Sequence, residues 1–193
     1  IKDKSFTDLE KEINEVNHKR FPVLDEEIGK QMKQEIENAR DRQDSVGGIL
    51  ETVISGVEAG IGEPSFSSLE SMLSEAMFSI PAVKGIEFGS GFEFANMYGS
   101  EANDAWIIQD NKVITKTNHN GGINGGIANG MPITFKTVIK PTPSISLEQD
   151  SVNYETKENV KLSISGRHDP AIIHRARAVV DAMTALVIAD AYT

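Results

Sequence analysis

Apolar positions in the first forty residues recur at helical spacing. Leu9, Ile13 and Val16 follow Thr7-x-x-Glu10, a pairing that reads as a capping box at the start of a first helix. After Pro22, Ile28, Met32, Ile36 and Ala39 mark one face of a second amphipathic helix. From Gly47 the period changes: Ile49, Leu50, Thr52, Val53, Ile54 and Val57 are β-branched or aliphatic on both faces, which predicts a buried strand. Ser67 with Glu70 forms another capping box, and Leu69, Met72, Leu73, Ala76, Met77 and Ile80 trace a helix face, its methionines suited to filling core gaps.

Short strands are expected at Val83 to Phe88 and Trp106 to Thr115, among turn signals at Gly89, Gly91, Gly99 and Asp110-Asn111. Between Asn118 and Gly130 lie 5 of the chain's 16 glycines, implying backbone flexibility or close backbone approach. Ile133, Phe135, Thr137 and Ile139 then alternate with Thr134, Lys136, Val138 and Lys140, a strand ended by Pro141 and Pro143. A polar stretch from Glu148 to Asn159 leads to a short strand at Val160 to Ser165. Last comes a long helix with Ile172, Ala176, Val179, Val180, Met183, Leu186 and Val187 on its apolar side, Asp169 in the N-cap position and Pro170 at the first helical position.

Of the 48 charged residues, 21 fall in the first 44 positions, so a solvated helical segment (1–44) precedes a more apolar core segment (45–193). A formal charge of −10 with no Lys/Arg cluster argues against a general nucleic-acid binder. The absence of cysteine excludes disulfides, thiolate catalysis and Cys-ligated metals, and fits a cytoplasmic address. Asp181, Thr184 and Asp190 interrupt the longest apolar stretch, near Ala178 to Ala191, which falls short of the ~20 residues of a membrane span. Because the numbering opens on Ile1 with a charged helical run directly after, a longer parent protein is expected.

Several segments carry chemistry in their residue types. The glycine segment is no Walker loop, since Met131 stands where that motif needs Lys; its amides suit an anion or a flat ring, or an ordinary turn. Lys140-Pro141-Thr142-Pro143-Ser144 sets an ammonium and two hydroxyls on a stiff extended segment, which suits a phosphate or polyol, or a plain proline exit from a strand. Asp169, judged alone, reads first as an N-cap carboxylate, a role with which a functional one can coexist. His18, His119, His168 and His174 show no metal-ligand spacing.

Taken together, these segments resemble the chorismate synthase family. The residues that carry the likeness are Asp44-Ser45-Val46-Gly47-Gly48, Gly60-Ile61-Gly62-Glu63-Pro64, Ile80-Pro81-Ala82-Val83-Lys84-Gly85-Ile86-Glu87-Phe88-Gly89, Asn118 to Ile127, Lys140-Pro141-Thr142 and Gly166-Arg167-His168-Asp169-Pro170, in the family's order. The resemblance implies an α+β fold, a β-α-β sandwich of which residues 1–193 form the C-terminal portion, assembled as a homotetramer. It implies a lyase of aromatic amino-acid biosynthesis that converts 5-enolpyruvylshikimate 3-phosphate to chorismate by 1,4-anti elimination of phosphate. Reduced FMN is the implied cofactor, with NADPH-derived electrons supplied from elsewhere, since no dinucleotide fingerprint occurs here.

Residue by residue, the resemblance implies that Pro81 and Ala82 border the flavin and that Gly125 lets backbone approach it. Lys140, Pro141, Thr142, Pro143 and Ser144 would line its phosphate and ribityl chain, with Arg167 as a further contact. Asp169 would sit near the flavin N5 and assist proton removal. The family's two functional histidines and most of its substrate-holding arginines belong to an N-terminal half that these 193 residues do not contain. A competing expectation is therefore that this stretch alone is an inactive scaffold with weak affinity for FMN.

Overall fold

A computed structural model describes residues 1–193. In chain order the elements are α1 (Leu9–Asn17), α2 (Glu26–Asp41), β1 (Gly48–Ile54), α3 (Leu69–Ser79), β2 (Val83–Phe88), α4 (Gly99–Ala102), β3 (Trp106–Gln109), β4 (Lys112–Thr115), β5 (Ile123–Asn124), β6 (Ile127–Ala128), β7 (Ile133–Ile139), β8 (Gln149–Asn153), β9 (Glu158–Leu162) and α5 (Ile173–Ala191). Helices and small antiparallel sheets mix along the chain, as an α+β fold requires. Two compact units divide the residues: Ile1–Gly48 with Lys140–His174, and Ile49–Ile139 with Arg175–Thr193. No helix is long and apolar enough to cross a membrane.

In the second unit the core gathers around β7, the middle strand of a three-stranded sheet ordered β1-β7-β2. The alternation read from the sequence is realised: Ile133, Phe135, Thr137 and Ile139 are buried, and Lys136 instead reaches Glu87 across the antiparallel β2 at 2.9 Å. Leu69, Leu73, Ala76 and Met77 form the inward face of α3, which packs against β2, and the Phe88 and Phe135 rings meet at 5.8 Å. Burying such side chains contributes about 1.5–3 kcal/mol each. The turn between β3 and β4 sits on Asp110 and Asn111, both at positive φ, the left-handed pair that a two-residue hairpin demands.

Several expectations need correcting. The strand from Gly47 is no buried strand: β1 lies at the sheet edge with β7 as its only neighbour, so Ile49 stays 63% exposed. Both capping boxes are displaced by one residue. Glu12 reaches back to accept from the amides of Thr7 and Asp8, and the cap of α1 is Asp8, whose carboxylate accepts from the Lys11 amide. Likewise Ser65–Ser67 closes its own 3₁₀ turn, and Ser68 caps α3 by accepting from the Ser71 amide.

In the first unit α2 begins at the Asp25 cap, and the Asp3 carboxylate accepts from the amides of Leu24 and Asp25. The polar stretch after Glu148 holds an unforeseen strand: β8 pairs with β9 from Gln149↔Leu162 to Asn153↔Glu158. A further correction concerns Asp169, which does not cap α5. The helix starts at Ile173, because the Pro170 carbonyl accepts from the Val46 amide at 2.8 Å and Ala171 is fully buried, which keeps the intervening residues in an irregular loop.

Candidate functional site

The first unit brings together Lys140, Pro141, Thr142, Pro143, Ser144, Arg167 and Asp169. Lys140 leaves the end of β7 exposed, and the two prolines remove the backbone donors on either side of Thr142. The Thr142 carbonyl accepts from the Ser45 hydroxyl at 2.7 Å, whereas its own hydroxyl is shut off from solvent with no hydrogen-bond partner. A buried hydroxyl left in that state costs about 1–3 kcal/mol, so a ligand oxygen that reached it would recover that cost. Arg167 is exposed, Asp169 is half-buried with one carboxylate oxygen shielded from water, and the ring of His168 is spent on the Ile164 carbonyl at 3.0 Å.

Pro81, Ala82 and Gly125 lie in the second unit. Ala82 holds φ of +75°, a left-handed conformation that costs a non-glycine residue about 1–2 kcal/mol. Gly125 and Gly126 turn β5 into β6 with φ of +60° and +92°. The two glycines differ in why they lack side chains. A Cβ on Gly126 would lie 2.6 Å from the Glu63 carbonyl oxygen and from Ser68, whereas one on Gly125 would meet nothing within 4 Å. Gly125 therefore offers bare backbone toward open space.

The Gly126 carbonyl accepts from the amide of Leu69, the first residue of α3, and Ala82 follows three residues after its last, Ser79. The expected contacts in this unit thus mark opposite ends of a helix about 16 Å long, and a ligand touching both has to run its length.

Sequence reasoning passed over the device that holds the glycine segment. Asp104, 6% exposed, accepts from the Thr117 hydroxyl and the His119 amide at 2.7 Å and from the Asn120 amide at 2.9 Å. Burial pushes its carboxyl pKa up, but the donors from Asn120, Thr117 and His119 outweigh that and hold it below the usual aspartate range. Ser90 bonds the His119 ring at 2.8 Å, so the segment is gripped from both sides. The signal was slight, an isolated Asn-Asp pair whose aspartate stands seventeen residues before the first of these glycines.

A groove of about 440 Å³ runs between Thr52, Val53 and Ile54 of β1 and Asp181, Thr184, Ala185, Ile188 and Ala189 of α5. None of the expected site residues lines it, and its walls are mostly apolar.

The model of the chorismate synthase family matches residues 4–193. A chorismate synthase from Methanosarcina mazei is 48% identical over 176 residues, which are 90% of this chain and 48% of that protein. One from Lachnoclostridium phytofermentans is 52% identical over 167 residues, 86% of this chain and 45% of the relative. A crystal structure of chorismate synthase superposes with a TM-score of 0.67 at 29% identity, covering 84% of this chain and 41% of that one. The chain spans about half the length of the curated relatives it matches.

Proposed function

The chain belongs to the chorismate synthase family, and from that premise we propose that it is the flavin-holding part of a lyase that forms chorismate from 5-enolpyruvylshikimate 3-phosphate. The observation that carries the reading is the family match, continuous over residues 4–193 and including every segment in which the expected site residues lie. The residues present fit a flavin mononucleotide: an exposed ammonium at Lys140, a shielded hydroxyl with no partner at Thr142 and an open backbone turn at Gly125 are the donors that a phosphate, a polyol chain and a flat ring call for.

The reaction breaks the C–H bond on one carbon of the substrate ring and the C–O bond to phosphate three atoms away. The C–H electron pair forms a new ring double bond, the existing ring double bond shifts by one position, and the C–O pair leaves with phosphate, so no net oxidation occurs. When bound, reduced FMN would supply electron density and a basic ring nitrogen, held by the residues that follow. In this assignment Lys140 neutralises the cofactor phosphate, Thr142 and Ser144 donate to its polar chain, and the prolines keep those groups extended. Arg167 adds a second positive charge. Asp169 accepts a proton at its carboxylate or relays one, its shielded oxygen being the atom suited to that task.

The working enzyme in this reading is a cytoplasmic homotetramer that also contains the half of the family's length lying outside these residues. A second reading, that residues 1–193 alone bind FMN weakly without turnover, is favoured by a charge of −10 set against a trianionic substrate. Anaerobic mixing with reduced FMN and substrate tests both. Phosphate release that requires addition of a relative's N-terminal half supports the two readings together. Unchanged FMN affinity in Lys140→Ala would overturn the assignment of that segment.

A further inference from the structure

Asp44-Ser45-Val46-Gly47-Gly48 is a family-like motif to which the proposed chemistry gives no task. The Asp44 amide donates to the Ala39 carbonyl in the last turn of α2 at 2.9 Å, and the residues after it reach the two stretches that carry the proposed ligands. The Ser45 hydroxyl donates to the Thr142 carbonyl at 2.7 Å, and the next residue, Val46, donates its amide to the Pro170 carbonyl at 2.8 Å. Just before the motif, the Gln43 carbonyl accepts from the Ser146 amide at 3.2 Å; at its end, a Cβ on Gly48 would meet the tip of the Ile173 side chain.

Proline explains why such a tie is needed. With no N–H at Pro141 or Pro143, the Lys140–Ser144 segment cannot be held there by a strand ladder, and the Thr142 carbonyl is a handle for fixing it from outside. The Arg167–Ala171 loop is likewise irregular, and Pro170 offers only its carbonyl. Two adjacent residues grip these two handles, so the carbonyl oxygens of Thr142 and Pro170 stay within about 10 Å of each other. Lys140 lies two residues from one handle, and Asp169 and Arg167 lie one and three residues from the other.

The geometry points to Ser45 as a positioning residue: its hydroxyl, acting beside the Val46 amide, fixes the spacing between Lys140–Thr142 and Arg167–Asp169, and thereby the fit of the flavin phosphate and ribityl chain. The inference rests on the proposed assignment of those segments to FMN. Because Ser45 spends its hydroxyl on the Thr142 carbonyl, the Thr142 hydroxyl is left for the ligand.

The test compares the parent chain with Ser45→Ala, Ser45→Thr and Lys140→Ala. FMN affinity is followed by flavin fluorescence, and the amide resonances of Val46, Thr142, Ser144, Arg167 and Asp169 are followed without ligand. Ser45→Ala should weaken FMN binding about five- to tenfold, the loss of one hydroxyl–carbonyl bond. It should shift resonances in both segments, and Ser45→Thr should restore affinity and spectrum. Loss of affinity in Lys140→Ala with unchanged affinity in Ser45→Ala overturns the positioning role. Should neither variant nor the parent bind FMN, the flavin assignment fails instead, and the ligand-free spectra decide the tie: unmoved Arg167 and Asp169 resonances in Ser45→Ala overturn it.

Discussion

The glycine segment from Asn118 to Gly130 and the proline segment from Lys140 to Ser144 are both assigned to one cofactor, yet they are made rigid by opposite means. In the first, left-handed glycines let backbone lie against backbone. Gly121 and Gly122 hold φ of +63° and +80° with neighbouring chain where side chains would be, and Asp104 collects three donors beneath them. In the second, rigidity is covalent, from two proline rings, and its attachment includes one side-chain bond from Ser45. Rigidity from close packing fails when atoms are added. Rigidity from the covalent chain survives most substitutions and fails in function when its tether or its charge is removed.

That contrast orders the expected effects. Gly89→Ala should be the most damaging change, because at φ of +55° its Cβ would run into the His119 carbonyl oxygen of the glycine segment; a loss of about 4 kcal/mol or more is expected in urea unfolding. A loss under about 1 kcal/mol would show that the segment yields rather than resists. Asp104→Ala should cost about 3 kcal/mol, since three donors lose a charged acceptor. The same carboxylate gives stability a pH dependence of known sign. Its folded pKa lies below the unfolded one, so its contribution is complete at neutral pH and is lost as pH falls from about 4 through the lowered folded value; the Asp104→Ala chain should lack that part of the acid transition.

In the proline segment the numbers shrink and move from stability to binding. Ser45→Ala should lower stability by about 1 kcal/mol, measurable by the same unfolding. Lys140→Ala should leave stability within about 0.5 kcal/mol, because the side chain is exposed, while weakening FMN binding at least tenfold through loss of a charge-assisted contact. A destabilised Lys140→Ala chain would blur the contrast, placing the lysine among the structural ties.

Where periodicity is strong, the residues announce their structure. The alternation at Ile133 to Ile139, the face of α3 and the Asp110-Asn111 turn each reflect a local rule that tertiary packing did not overrule. Where local groups compete for the same donor, they do not. Glu12 took the amide and hydroxyl of Thr7 that a capping box with Glu10 would have used, and Val46 took the carbonyl at Pro170 near which α5 would have begun. A strand was read from Val160, where β9 lies, but its partner β8 was hidden because its residues are nearly all polar or exposed, which leaves no buried face to impose a period of two.

At the proposed site the residue types were readable and their supports were not. Lys140, Thr142 and Asp169 stand out by chemistry and by likeness to a family. Asp104 and Ser45 act through backbone groups 15 to 97 positions away in sequence, and no short-range pattern records such partnerships.

The sheet around β7 has two unlike borders. On β2 the register slips between Val83 and Gly85, leaving Lys84 in the irregularity, and an incoming strand would meet a broken row of donors beside a positive charge. Along β1, Gly48 to Ile54 contains no proline or lysine and a single charge, Glu51. Chains crowded together during synthesis or refolding would therefore first adhere along β1, and a lysine placed at Ile49, already 63% exposed, is where a soluble preparation of these residues would be sought.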